Sequence, residues 1–233
     1  MTNTEIFIDK YKNLESVVRS TYDLTYNDSI SNFLVGQTKY KRYSEDIRYC
    51  QEVRNLLSHK QKIDNNFAVE PSQQMIDFID RLIEQIKNRP KCYEIQIGLK
   101  DIYFQPLDGK VKEAIQTMRE KLYTHVPIIE NGVVIGVFDE NSIFNYLADN
   151  EIVYIENDLS FRQLDKYISL NNREMEEFVF FKATAYVEEL ESEIEKSFRK
   201  NKRIGVAFIT PSGKATEQLQ GIITPWDIIA SSK

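Results

Sequence analysis

The sequence predicts an α+β protein of two domains, a helical bundle over residues 1–90 and a domain of strands and helices over residues 91–233. Three observations carry this prediction. Apolar residues recur at helical spacing as far as Ile86; beyond Pro90 the pattern changes to short β-branched runs bounded by turn residues; and one stretch of the second pattern occurs twice.

Three apolar stripes define the bundle. Ile6, Tyr11, Leu14 and Val18 form the first, Ile47, Cys50, Val53 and Leu57 the second, and Met75, Phe78, Ile79, Leu82, Ile83 and Ile86 the third. Each stripe has to be buried against another helix. Ser44, with Glu45 and Asp46 behind it, starts the second helix, and Pro71-Ser72 opens the third. Asn88-Arg89-Pro90 ends it, because proline disfavours helical backbone in the residue before it.

In the second domain, residues 112–122 form an amphipathic helix, Val126-Pro127-Ile128-Ile129 and residues 133–138 form strands joined by Glu130-Asn131-Gly132, and residues 141–148 are helical. The same order returns. An amphipathic helix at 189–198 precedes a strand at 204–209, a turn from Thr210, a strand at 221–224 and a helix start at 225–230. Residues 136–143 lie over 221–228 without a gap, which makes two copies of one unit the economical reading.

Composition narrows the function. With 42% hydrophobic and 28% charged residues the chain is that of a folded protein. No apolar run approaches the length of a membrane span, and Glu5 and Asp9 stand where a leader would be basic or apolar, so a cytoplasmic protein without membrane contact is expected. A net charge of −6, with the acidic excess beyond residue 90, argues against a generic nucleic-acid or DNA binder. The first domain does hold one basic stretch, with Lys39, Lys41, Arg42, Arg48, Arg54, Lys60 and Lys62. Cys50 and Cys92 lack paired spacing, only two histidines are present, and no phosphate-binding glycine loop occurs, so no metal site or required cofactor is expected. The run Glu188, Glu189, Glu191, Glu193 and Glu195 is the wet face of a helix.

Residues 124–143 (THVPIIENGVVIGVFDENSI) and 202–229 (KRIGVAFITPSGKATEQLQGIITPWDII) together resemble a tandem pair of CBS (cystathionine β-synthase) domains, with the first at about 98–150 and the second at about 176–232. The stretch between the copies, 151–175, is longer than that family needs. The resemblance implies β-α-β-β-α units packed as a pseudo-twofold Bateman module, usually a homodimer, that senses adenine nucleotides or cyclic dinucleotides in regulation.

Chemistry at Thr224-Pro225-Trp226-Asp227 has two readings. A strand turning into a helix aims backbone N–H groups at one point that suits a phosphate; the resemblance adds Thr224 to that phosphate and Asp227 to the ribose hydroxyls. The same four residues also suit a helix cap, with Thr224 at the cap and proline at the first helical position. The first copy has Asp139 and Ser142 at these places, so one intact site per chain is expected. The resemblance also brings Lys202 and Arg203, and in the first copy Thr124 and His125, toward phosphates.

In the first domain, Arg54-Asn55-Leu56-Leu57-Ser58-His59 ends an amphipathic helix inside the basic stretch. This resembles the R-x-x-x-x-H motif of the HEPN domain, a small helical bundle that dimerises and in some members cleaves RNA without metal. The resemblance implies His59 as general acid or base, Arg54 as stabiliser of the phosphorane charge and Asn55 as phosphate positioner. Five residues along a helix turn about 500°, so Arg54 and His59 project apart and need not form one site within a chain, where a second chain could bring two motifs together. Solvated helix-end residues, with His59 at the negative end of the dipole, account for the same sequence. The two expectations are a nucleotide-sensing regulator with a dimerising or effector bundle, and a ligand-gated ribonuclease with RNA as its partner.

Overall fold

The structure is a computed structural model that describes residues 1–59, 67, 69–151, 154–171, 173 and 175–231, without the His59 side chain. They fall into two compact units, Met1–Arg89 and Pro90–Lys233. Lys60 and Lys62 of the basic stretch lie outside the described residues.

In the first unit, α1 (Asn3–Tyr22), α2 (Ile30–Gly36), α3 (Ser44–His59) and α4 (Gln73–Lys87) surround one core. Thr2 and Glu5 cap α1 reciprocally, and the Ser72 hydroxyl accepts from the Met75 N–H at the start of α4. The first stripe is buried through Phe7, Tyr11, Leu14 and Val18, with Ile6 only partly covered. A 3-10 stretch, Thr38–Tyr43, leads directly into α3, so that Ser44 is the first residue of the helix and its hydroxyl donates back to the Lys41 carbonyl. Lys10 and Asp80 form an ion pair between α1 and α4 at 2.7 Å.

The second unit begins with α5 (Cys92–Ile95) and β1 (Ile97–Gly98). The first copy follows, as α6 (Val111–Lys121), β2 (His125–Glu130), β3 (Val133–Asp139) and α7 (Glu140–Asp149). Asn131 and Gly132 both take positive φ, 51° and 81°, as the tight turn between β2 and β3 requires. A 3-10 turn, Phe161–Leu164, and α8 (Asp165–Ile168) come next; the second copy is β4 (Glu176–Lys182), α9 (Val187–Arg199), β5 (Arg203–Thr210), β6 (Gly221–Ile223) and α10 (Pro225–Ser231).

The two copies build separate sheets that share a core. One sheet has the order β1-β6-β5-β4, with β4 parallel to β5 and the other pairs antiparallel; β2 and β3 form a second sheet. Ile129, Val134 and Val137 of the first copy share a core with Val206, Phe208 and Leu219 of the second. The Leu219 N–H also donates to the Gly132 carbonyl at 2.8 Å. The connection between the copies is structural. Leu159, Phe161, Leu164 and Ile168 are buried against Val126, Ile128 and Phe138.

Candidate functional site

At the turn from β6 into α10, the Thr224 N–H and hydroxyl both donate to Asp227 Oδ2, each at 2.7 Å. The hydroxyl is therefore tied to the carboxylate. Both residues are half-buried, and concentrating two bonds on Oδ2 leaves Oδ1 to accept from a diol.

The first copy holds the same chemical pair in reverse order. The Ser142 N–H and hydroxyl donate to Asp139 Oδ1 at 2.7 Å, and the Asp139 N–H donates to the Ser142 hydroxyl at 3.3 Å. This pair is buried. Asp139 Oδ2 receives Arg173, whose Nη1 lies 2.5 Å away.

His125, Asp139 and Glu176 come together at the edge of the two sheets, each offering one ligand atom within 4.8 Å of the others. Backbone pairing sets this arrangement: His125 stands opposite Asp139, and Glu176 opposite Arg203. Glu176, with only 3% of its side chain exposed, receives His125 Nε2 at 3.1 Å and Arg203 Nε at 3.0 Å on Oε1. Its Oε2 is buried without a hydrogen-bond partner. Burial acts to raise the Glu176 carboxyl, but hydrogen bonding and charge from His125 and the charge of Arg203 outweigh it and hold it below the ordinary value. Gly205 is needed here, since a Cβ would lie 2.6 Å from Glu176 Oε1 and 2.9 Å from His125 Nε2.

One imidazole and two carboxylates are a donor set that suits several divalent metals. Here Arg173 pairs with Asp139 and Arg203 with Glu176 Oε1. Of the residues that sequence pointed to, His125 and Arg203 are thus brought together on Glu176, while Lys202 turns to Glu177 at 3.4 Å. The hydrogen bonds of Thr224 and Asp227 stay within their own turn. Arg173 and Glu176 carry no motif; their only sequence signal is a charged group before the apolar run Phe178-Val179-Phe180-Phe181.

In the first unit, Arg54 on α3 pairs with Glu15 on α1 at 3.0 Å, its guanidinium lies 5.8 Å from the centre of the Tyr11 ring, and Nη1 donates to Asn55 Oδ1 at 3.3 Å. Burial, with Glu15 beside it, pushes the Tyr11 phenol up to about 12. Asn55 is exposed, and His59 is the last residue of α3 with its side chain outside the described residues. A cleft of about 280 Å³ between α3 and α4 is lined by Asp46, Tyr49, Cys50, Met75, Phe78 and Arg81 among others, and not by Arg54 or Asn55. Burial raises the Cys50 and Cys92 thiols to about 12 and 11, which leaves neither a thiolate nucleophile at neutral pH.

The family model described as CBS domain matches residues 101–149. A search of the curated proteins found no match. Among solved structures, a hemolysin-like protein containing a CBS domain from Oenococcus oeni PSU is 14% identical, with 66% of this chain and 96% of that one covered and a TM-score of 0.43. CBSX2 in complex with AMP is 11% identical over 61% of this chain and 95% of that one, with a TM-score of 0.45. A CBS domain pair in complex with 5′-methylthioadenosine and S-adenosyl-L-methionine is 16% identical over 62% and 99%, with a TM-score of 0.43. Among the described residues no helix is long and apolar enough to cross a membrane.

Proposed function

We propose that the chain is an adenine-nucleotide-sensing regulatory protein, in which residues 91–233 form a CBS pair and Thr224 with Asp227 contacts the ligand. The observation that carries this reading is the half-buried hydroxyl–carboxylate pair at the β6–α10 turn, with one carboxylate oxygen open to a diol, in the second copy of a unit whose first copy matches the CBS domain family model. Arg203, with 68% of its side chain exposed, keeps its terminal nitrogens for an anion while Nε holds Glu176.

The helical unit acts in this reading as a HEPN-like dimerisation or effector domain. Arg54 favours that role over a ribonuclease, because its guanidinium already balances Glu15 and joins two helices. Self-association is supported further by exposed apolar side chains at matching places of the two copies, Phe144 on α7 and Ile229 on α10, with Trp226 beside the latter.

A thermal-shift panel with AMP, ADP, ATP, S-adenosylmethionine and cyclic di-AMP tests the sensor. A ligand at a hundred times its dissociation constant adds about 2.7 kcal/mol, which is a shift of several degrees for a chain of this size. Asp227→Ala should abolish it. Silence across the panel at millimolar ligand would reduce Thr224 and Asp227 to a helix cap.

A further inference from the structure

The gapless overlay of the copies places Val137, Asp139 and Ser142 on Ile222, Thr224 and Asp227. In the first copy a third group completes the arrangement. Arg173 donates from Nη1 to Asp139 Oδ2 at 2.5 Å and from Nη2 to the Val137 carbonyl at 2.5 Å, with the Ser142 hydroxyl and the Tyr167 carbonyl 3.4 Å from Nη2. Its Nε donates to the Ser169 carbonyl at 3.0 Å, and its Cζ lies 4.9 Å from the centre of the Phe178 ring. Only 11% of the side chain is exposed.

All three guanidinium nitrogens therefore have acceptors, one of them charged, and an aromatic ring lies alongside. That is a full recognition set for a guanidinium. The reversed order of the pair follows from it. A buried cation needs a carboxylate partner, and an acid at position 139 supplies one where threonine, its counterpart in the second copy, could not.

We propose that the first copy is a guanidinium-binding site that the chain fills in cis with Arg173, in the place that a ligand takes in the second copy. The chain then offers one open cleft instead of two. The single open cleft rests on reading Thr224 and Asp227 as the ligand pair; the guanidinium site does not.

Two arms keep these apart. In the first, Arg173→Ala is melted with millimolar methylguanidinium, with methylammonium as control. Methylguanidinium should raise its melting temperature by several degrees and leave the wild type unmoved, and adding Asp139→Asn should remove the response. An equal response in Arg173→Ala and wild type would overturn the proposal. In the second arm, Asp139→Thr, Ser142→Asp and Arg173→Ala are combined, which rebuilds the order of the second copy without an unpaired buried carboxylate; this variant also carries the test if Arg173→Ala fails to fold. AMP should bind once per chain in the wild type and twice in the triple variant. A folded triple variant that still binds once overturns occupancy in cis, while a wild type that binds no AMP counts against the nucleotide reading and leaves methylguanidinium to decide the site.

Discussion

Glu176 draws His125 Nε2 and Arg203 Nε onto one oxygen while its other oxygen is buried without a partner. Its carboxyl is held below the ordinary value of 4.5 in the folded state. A depressed carboxyl contributes stability above the unfolded value and loses it as pH falls through the folded value. The stability of the wild type should accordingly drop with acid below about pH 4.5, by at most about 1.4 kcal/mol per pH unit for this one proton. Glu176→Gln removes that proton. Urea unfolding across an acid series should show a shallower loss for the variant, whatever its stability at neutral pH, and an unchanged slope would mean that Glu176 titrates alike in both states. Little of this cluster was legible beforehand. His125 and Arg203 could be picked out as residues before apolar strands, but Glu176 meets His125 across about fifty positions of chain. Such a meeting brings β4 of one sheet against β2 of the other, and no local spacing records it.

Among the elements, long periodic segments were the legible ones. The stripe from Met75 to Ile86 predicts α4, and Glu130-Asn131-Gly132 predicts the β2–β3 turn that the positive φ angles bear out. Reading by repeat passes over β4, because its counterpart in the first copy is only a bridge from Gln105 to Ile128. The stretch 151–175 looks surplus for a similar reason: a four-residue 3-10 turn and a four-residue helix are too short to display a period. Phe161 shows what that stretch does. Its side chain is fully buried, and its ring lies 5.1 Å from that of Phe138 in an edge-on arrangement. Phe161→Ala should destabilise the protein by about 3–5 kcal/mol, as deletion of a core aromatic does. A loss within about 0.5 kcal/mol in denaturant unfolding would instead mark the stretch as a surface connector.

At the scale of the chain, the sequence starts the second unit at residue 91 and its first copy near residue 98, and the structure ties the residues between to the second copy. β1 pairs with β6 through Ile97 with Ile222 and Gly98 with Gly221, and the Leu99 N–H donates to the Gln220 carbonyl at 3.1 Å. Cys92 is fully buried in a core with Leu190, Ala207, Ile209 and Ile223. Around it, the Cys92 and Tyr93 N–H groups donate to the Ala185 and Ala183 carbonyls, and the Val187 N–H donates to the Pro90 carbonyl at the start of α9. A fragment of residues 99–233 would therefore open the β6 edge and expose the face that Cys92 and Ile95 cover, and an open hydrophobic strand edge invites association. A fragment of residues 90–233 keeps every one of these partners. The longer fragment should melt cooperatively as a soluble species, and the shorter one should aggregate or lose its cooperative transition by circular dichroism. Equal melting of the two would show that residues 90–98 lie against the second copy without stabilising it.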